Sequence, residues 1–117
     1  MARAKLNLTG LRFDLIPTYG MAHLAHVYTV GAKKHGENNW RGGMKVSYCL
    51  SKLFRHLFRW MRGERYDKDD GQHHLASVAF WCMAMMEFED NPIWNDYHYN
   101  NGLEQMNAEK GPLCAST

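Results

Sequence analysis

The sequence contains little cysteine, and its cysteines form no recognisable site. Three cysteines lie at positions 49, 82 and 114 of 117 residues, and no two of them are close in sequence. This spacing excludes a disulfide framework and a CxxC zinc motif. We therefore interpret them as free thiols of a reducing compartment. Cys49 and Cys82 lie in apolar helical segments, where we expect them to pack as small hydrophobic side chains.

Long hydrophobic runs are also missing. The longest spans residues 75–86, is interrupted only by Ser77, and is too short to cross a bilayer. The basic N-terminus is not followed by the apolar segment of a signal peptide. We expect a cytoplasmic protein without a membrane partner.

The chain has neither a strong charge imbalance nor a familiar nucleophile motif. Its 14 basic and 12 acidic residues give a net charge of +2, which disfavours nucleic acid as the partner. The GxSxG, Walker and HExxH motifs are absent, and so is an adjacent His-Asp pair. Metal-activated water is then the natural attacking group for a hydrolytic reaction.

The apolar pattern predicts an all-α fold, a compact bundle of three main helices. The helices are expected at about residues 18–34, 44–62 and 72–89, and Pro92 ends the last. The third helix is apolar all round, which indicates a central position. Asp69 or Asp70 is expected to cap it. We divide the chain into an arm (1–13), a domain (14–90) and a polar tail (91–117), and expect oligomerisation to complete the bundle.

An acidic loop separates the second and third helices. Glu64 and Asp67 have ExxD spacing, and Asp69, Asp70 and His74 follow closely. Carboxylate oxygens suit Mg²⁺ or Mn²⁺, and an imidazole shifts the preference towards Mn²⁺ or a softer metal. If the second helix continued through this segment, the first two carboxylates would lie one turn apart on one side. The alternative is a solvated loop whose acids cap the next helix.

The second helix is basic and lacks acidic residues. Arg55, Arg59 and Arg62 recur at i, i+4 and i+7 and are expected to share a face. A guanidinium group can form two parallel hydrogen bonds to phosphate oxygens, so this face is a candidate polyphosphate site. A structural ion-pair network with the acidic loop is the alternative. His56 lies at the boundary of the apolar and basic faces, where a hydrogen-bonded histidine is expected.

The glycine-rich loop at 36–43 and the residues before it form a third cluster. Lys34 can bind phosphate, Asn38 and Asn39 can contact a base edge, and Trp40 can stack on a base. The alternative is a tight loop that Trp40 anchors in the core.

Read in order, these segments resemble a known family. The chain contains GAxKxGxxNW at 31–40, Arg55-His56-Leu57, GExxD at 63–67 and His74-Leu75-Ala76. This combination is similar to the phage-associated dATP/dGTP diphosphohydrolase domain, a distant relative of the all-helical MazG-like nucleotide pyrophosphohydrolases. Basic residues occupy the second helix where MazG-like enzymes carry ExxE, so their metal cage cannot be copied onto this chain.

The resemblance implies metal-dependent hydrolysis of a deoxynucleoside triphosphate, dGTP or dATP, to the monophosphate and pyrophosphate. It also implies Mg²⁺ or Mn²⁺ as cofactor and a homo-oligomer, a dimer or tetramer. Another metal-dependent phosphohydrolase and a non-enzymatic phage nucleic-acid-binding protein are the alternatives. The predicted site comprises catalytic Glu64, Asp67, His56 and Arg55; substrate-binding Lys34, Asn38, Asn39, Trp40 and Arg59; and metal-binding Glu64, Asp67, Asp69, Asp70 and His74.

Overall fold

The computed structural model describes residues 6–97, and this part of the chain contains three α-helices and no strand. The helices are α1 (Thr18–His35), α2 (Val46–Met61) and α3 (His74–Phe88), with short 3-10 turns at Phe13–Leu15 and Asn39–Gly42. The all-α prediction is confirmed. Each helix boundary lies within two residues of its predicted position, because the apolar periodicity and the flanking turn residues define the helices locally.

Helix α3 is the central element, as its apolar composition predicts, because both α1 and α2 pack against it. Helices α2 and α3 run antiparallel, since His56 contacts His74 while Tyr48, two turns earlier, contacts Trp81. The buried hydrophobic core is small and consists of Val27, Val46, Cys49, Leu53, Ala76 and Ala84. None of the helices is long and apolar enough to cross a membrane, within residues 6–97.

The two cysteines of the described region have different environments. Cys49 is fully buried, as expected, whereas Cys82 is exposed. The prediction that Cys82 packs in the core is therefore wrong. Although α3 is apolar on every side, α1 and α2 do not cover all of it, and Met83 and Met86 beside Cys82 are also exposed.

The start of α2 is capped by a segment distant in sequence. The side chain of its N-cap residue, Lys45, makes no capping hydrogen bond. Instead the Val46 N–H donates to the Trp94 carbonyl at 2.8 Å, and the Ser47 N–H donates to the Asp96 carboxylate at 2.9 Å. A carboxylate at this position satisfies a free N–H and interacts favourably with the helix dipole. Part of the predicted polar tail thus packs on the helices.

The cap predicts an acid-sensitive contribution to stability. Burial opposes the charge of Asp96, but its hydrogen bonds from Ser47 prevail and lower its pKa below the ordinary 3.8. A carboxyl group whose pKa is lowered by folding stabilises the fold above its unfolded pKa, and this contribution is lost as the pH falls below it. Asparagine can still accept the Ser47 N–H but carries no charge, so we expect Asp96→Asn to lower the free energy of unfolding by about 0.3–1 kcal/mol at pH 7. The difference from wild type should shrink at pH 3; urea titrations at both pH values measure it, and an equal loss at both would contradict the capping role.

Gly43 allows the same segment to approach α2. Its φ is +100°, and a Cβ placed there would lie 2.3 Å from the Trp94 indole ring. Any side chain at this position would therefore strain the backbone and displace the ring. Gly43, the last residue of the 36–43 loop, is thus the position at which the Trp94 ring packs against the backbone.

Helix α3 is capped by His73, whose Nδ1 accepts the Leu75 N–H at 3.1 Å. The prediction that Asp69 or Asp70 caps this helix is wrong. An antiparallel bridge between Tyr66 and His73 closes the acidic loop before the helix begins. The two acids consequently remain inside the loop, where the Asp70 carboxylate accepts the Gln72 N–H at 3.1 Å.

Candidate functional site

The acidic loop is a closed turn and not a continuation of α2. Gly63, at φ +100°, follows the end of α2. The helix therefore does not continue through Glu64 and Asp67, and their carboxylates do not lie one helical turn apart. Within the loop the Asp67 N–H donates to the Gln72 carbonyl at 2.8 Å, and the Gly71 N–H donates to the Asp67 carbonyl at 2.9 Å. These bonds fix the backbone of Asp67 close to the start of α3.

The loop completes a cluster of three potential metal ligands. His56 of α2, Asp67 of the loop and His74 of α3 each offer one ligand atom, and these atoms lie within 4.8 Å of one another. His74 is completely buried, while the other two are partly accessible. Three separate elements therefore converge on one point.

Both ring nitrogens of His74 are engaged. Its Nε2 lies 2.6 Å from the Glu64 carboxylate, and its Nδ1 lies 2.9 Å from Nδ1 of His56. A carboxylate can only accept a hydrogen bond, so we assign a proton to Nε2 of His74, which donates to Glu64 and leaves the Nδ1 lone pair facing His56. Burial, reinforced by the nearby His74, lowers the pKa of His56 despite the opposing Asp67 carboxylate. A neutral His56 is thereby favoured.

The donor set fits a divalent cation. Metal–ligand bonds of about 2.1 Å place neighbouring octahedral ligand atoms about 3 Å apart, which is close to the spacing of the two Nδ1 atoms. Ligand imidazoles must be neutral, and a ligand histidine normally donates its second N–H to a carboxylate, as His74 does to Glu64. Two nitrogens with one carboxylate favour Mn²⁺ over Mg²⁺.

The structure arranges the predicted metal ligands differently from the sequence hypothesis. Asp67 and His74 belong to the cluster, and Glu64 contacts it through His74. His56 joins as a third potential ligand. Asp69 and Asp70 lie outside the cluster, and Asp70 is held by Lys34 at 3.0 Å.

A cavity of about 820 Å³ opens beside the cluster. It lies between the C-terminal half of α1, the turn at 36–40, α2, α3 and the acidic loop. All but two of the predicted site residues line it: Lys34, Asn38, Asn39, Trp40, Arg55, His56, Arg59, Asp67, Asp69 and Asp70. Glu64 and His74 are not on the wall, and His74 connects to it through His56.

The basic side chains of the cavity are partly paired with the acidic loop. Arg59 lies 3.7 Å from Asp67, and Lys34 forms the ion pair with Asp70. Arg55 lines the same wall and makes no ion pair within the described part of the chain. Arg59 and Lys34 thus take part in ion pairs with the acidic loop and also lie on the wall that is the candidate phosphate site. Arg62 does not line the cavity, and its guanidinium lies over the Phe58 ring at 5.6 Å.

The predicted base contacts lie on the turn that lines the cavity at 36–40. Asn38 adopts a left-handed conformation at φ 58°, which asparagine tolerates better than most residues. Trp40 is half-buried, and the Arg41 guanidinium lies 5.3 Å from its ring centroid. The alternative of a Trp40 anchored in the core is not what the structure shows.

Sequence reasoning missed the aromatic side of the cavity, formed by Tyr28, Tyr48, Phe80 and Trp81. Lys52 was also missed as a lining residue. Tyr48 and Lys52 precede Arg55 and Arg59 at helical spacing on the same face of α2. That periodicity was the available signal, but aromatic residues in an apolar pattern are typical of a core.

Comparison with known proteins relates this site to a family. Residues 2–97 match the family model described as dATP/dGTP diphosphohydrolase, N-terminal. The chain belongs to this family. A dATP/dGTP diphosphohydrolase of Salmonella phage PMBT28 is 28% identical over 114 residues, which cover 91% of this chain. The chain spans 39% of the length of that relative, and no solved structure gives a significant match.

Membership of the dATP/dGTP diphosphohydrolase family confirms the resemblance drawn from the sequence. The matched region ends at residue 97 and therefore includes the segment that caps α2. It also includes every residue of the cluster and of the cavity wall.

Proposed function

We propose that this chain hydrolyses a deoxynucleoside triphosphate, dATP or dGTP, to the monophosphate and pyrophosphate. The observation that carries the proposal is the position of the His56, Asp67 and His74 cluster beside a cavity walled by Arg55 and Arg59. Its volume lies in the range of small-molecule sites. The family and the name of the phage relative support this choice of substrate.

His56, Asp67 and His74 would hold a divalent cation, Mn²⁺ or Mg²⁺, with Glu64 fixing the ring of His74. When bound, the cation supplies polarisation of a phosphoryl oxygen and a water of lowered pKa. The chain contributes the fixed geometry of the ligands, because the closed loop and two packed helices hold them before substrate arrives.

The basic side chains bind the phosphate chain. Arg55 is available to phosphate oxygens, and Arg59 and Lys34 add positive charge beside the acids that they contact. Such charges stabilise the negative charge that develops on the leaving pyrophosphate. Asn38, Asn39 and Trp40 also line the cavity, where they contact the nucleoside and restrict water.

The reaction products test this function. The protein is incubated with each dNTP and Mn²⁺, and the products are separated by ion-exchange chromatography. We expect monophosphate and pyrophosphate, with dATP or dGTP turned over fastest. Release of orthophosphate or of intact triphosphate would indicate another phosphohydrolase. Absence of turnover, combined with salt-sensitive binding to DNA or RNA, would favour the nucleic-acid alternative.

We also propose that the chain forms a homo-oligomer. Phe54, Phe58 and Met61 recur at i, i+4 and i+7 on α2 and are 60%, 57% and 68% exposed. An apolar stripe of this kind, on a chain with a small core, is typical of an association surface. Light scattering after size exclusion should give a dimer or tetramer, and Phe58→Lys should lower the mass while Leu8→Lys does not. A monomeric wild type at micromolar concentration would contradict the proposal.

A further inference from the structure

The cavity has two chemically distinct ends. One end carries the potential metal ligands and the basic side chains. At the other end four aromatic rings meet: Tyr48 lies 5.8 Å from Trp81, Trp81 lies 4.9 Å from Phe80, and Phe80 lies 4.8 Å from Tyr28. These ring-centroid distances describe one continuous aromatic wall. A ligand that fills the cavity must therefore combine a charged end with a flat or apolar end.

The two ends are separated by about two helical turns. Tyr48 precedes His56 by eight residues on α2, which is about 12 Å along the helix axis. Trp81 follows His74 by seven residues on α3, about 10 Å along its axis. Because α2 and α3 are antiparallel, both displacements point the same way. The separation matches the extended shape of a nucleotide, with its base at one end and its phosphates at the other.

The geometry of the rings leaves faces available for stacking. Tyr48 meets Trp81 at 79°, and Phe80 meets Trp81 at 90°, so these contacts are edge to face. Such contacts use one face or one edge of each ring and do not stack the rings on one another. Tyr48 remains 49% exposed, and Trp81 and Phe80 are half-buried. A cation covers one face of Tyr48 as well, since Lys52 Nζ lies 5.3 Å from its ring centroid, which leaves the opposite face for a base.

We propose that the base of the nucleotide stacks on Tyr48 and Trp81, and that this wall sets a preference for purines. The inference rests on the proposed function for the position of the phosphates. A two-ring base offers more stacked area than a pyrimidine, and stacking on aromatic side chains contributes substantially to nucleotide binding. Asn38, Asn39 and Trp40 then contact the nucleoside from the turn at 36–40.

The test separates base binding from phosphate binding. Tyr48→Leu and Trp81→Leu are compared with wild type on dGTP, dCTP and inorganic tripolyphosphate with Mn²⁺. We expect the KM for dGTP to rise roughly five- to a hundredfold, with kcat changed by less than about twofold. The Kd of tripolyphosphate, measured by calorimetry, should not change, since it has no base. The preference for dGTP over dCTP should shrink in both variants.

Controls make the outcomes distinct. Phe13→Leu replaces an aromatic side chain that is 66% exposed and outside the cavity, and should leave the KM unchanged. Tyr48→Phe retains the ring, so its rise in KM should be much smaller than that of Tyr48→Leu. If wild type turns over dGTP but both leucine variants keep its KM, the inference fails and the proposed function stands. If wild type turns over no nucleotide, the proposed function fails, and calorimetry with dGMP then tests the inference. The inference is overturned if wild type does not bind dGMP. It is also overturned if wild type and Tyr48→Leu bind dGMP equally.

Discussion

Asp67→Asn is expected to reduce kcat at least about a hundredfold and to abolish Mn²⁺ binding in calorimetry. Asp67 is the one carboxylate in the cluster with His56 and His74. An uncharged amide retains the shape of the side chain but loses the charge that binds a cation. Since loss of a partner of a metal ligand already costs about 10- to 100-fold, loss of the ligand itself should cost more.

Two matched variants accompany this experiment. Glu64→Gln keeps a hydrogen-bond acceptor for the His74 ring but removes the charge, so we expect an intermediate loss of about 10- to 100-fold. Asp14→Asn changes an exposed acid that pairs only with Arg12 in the described contacts, and it should behave as wild type. Full activity of Asp67→Asn with normal Mn²⁺ affinity would place the metal site elsewhere.

Gly43→Ala is expected to lower the free energy of unfolding by about 2–5 kcal/mol, the sum of backbone strain at positive φ and of overpacking. The new methyl group would lie 2.3 Å from an atom of the Trp94 ring. If the whole Trp94 residue shifts to relieve this contact, the hydrogen bond from the Val46 N–H to the Trp94 carbonyl is disturbed as well. Urea denaturation followed by circular dichroism measures the effect.

Gly20→Ala is the control for this substitution. Gly20 lies within α1, and a Cβ placed there meets no atom within 4 Å. Alanine should therefore stabilise the fold by about 0.4–1 kcal/mol, because it restricts the unfolded chain. If both glycine variants changed stability alike, the contact between Gly43 and Trp94 would not contribute to the fold.

The helices could be predicted from the sequence because their signals are local. Apolar residues recur at helical spacing, and proline or glycine lies near each end. The errors concern features that depend on partners far away in sequence. Asp96 caps α2 from 49 residues away, and no local pattern indicates this. Cys82 is exposed because no described helix covers its side of α3, which composition alone does not reveal.

The site was predictable as a set of residue types but not as an arrangement. Carboxylates and arginines have recognisable chemistry, so the acidic loop and the basic helix were identified as candidates. The contact of His56 with His74 depends on the packing of two helices, and this contact changes the expected role of His56. The aromatic wall was not predicted, because Trp81 lies in a helix that is apolar on every side and aromatic residues in apolar segments are typical of a core.

Helix α2 carries Tyr48, Arg55 and Arg59 on the one face that lines the cavity. The helical rise places the two arginines about 10 and 16 Å beyond the tyrosine along the axis. A helix cannot stretch or shorten as a loop can, so α2 fixes the distance between the tyrosine and the two arginines. In the proposed binding mode, a molecule whose ring and anionic tail have another separation would contact only the tyrosine or only the arginines, so the rigid helix would select ligands by length.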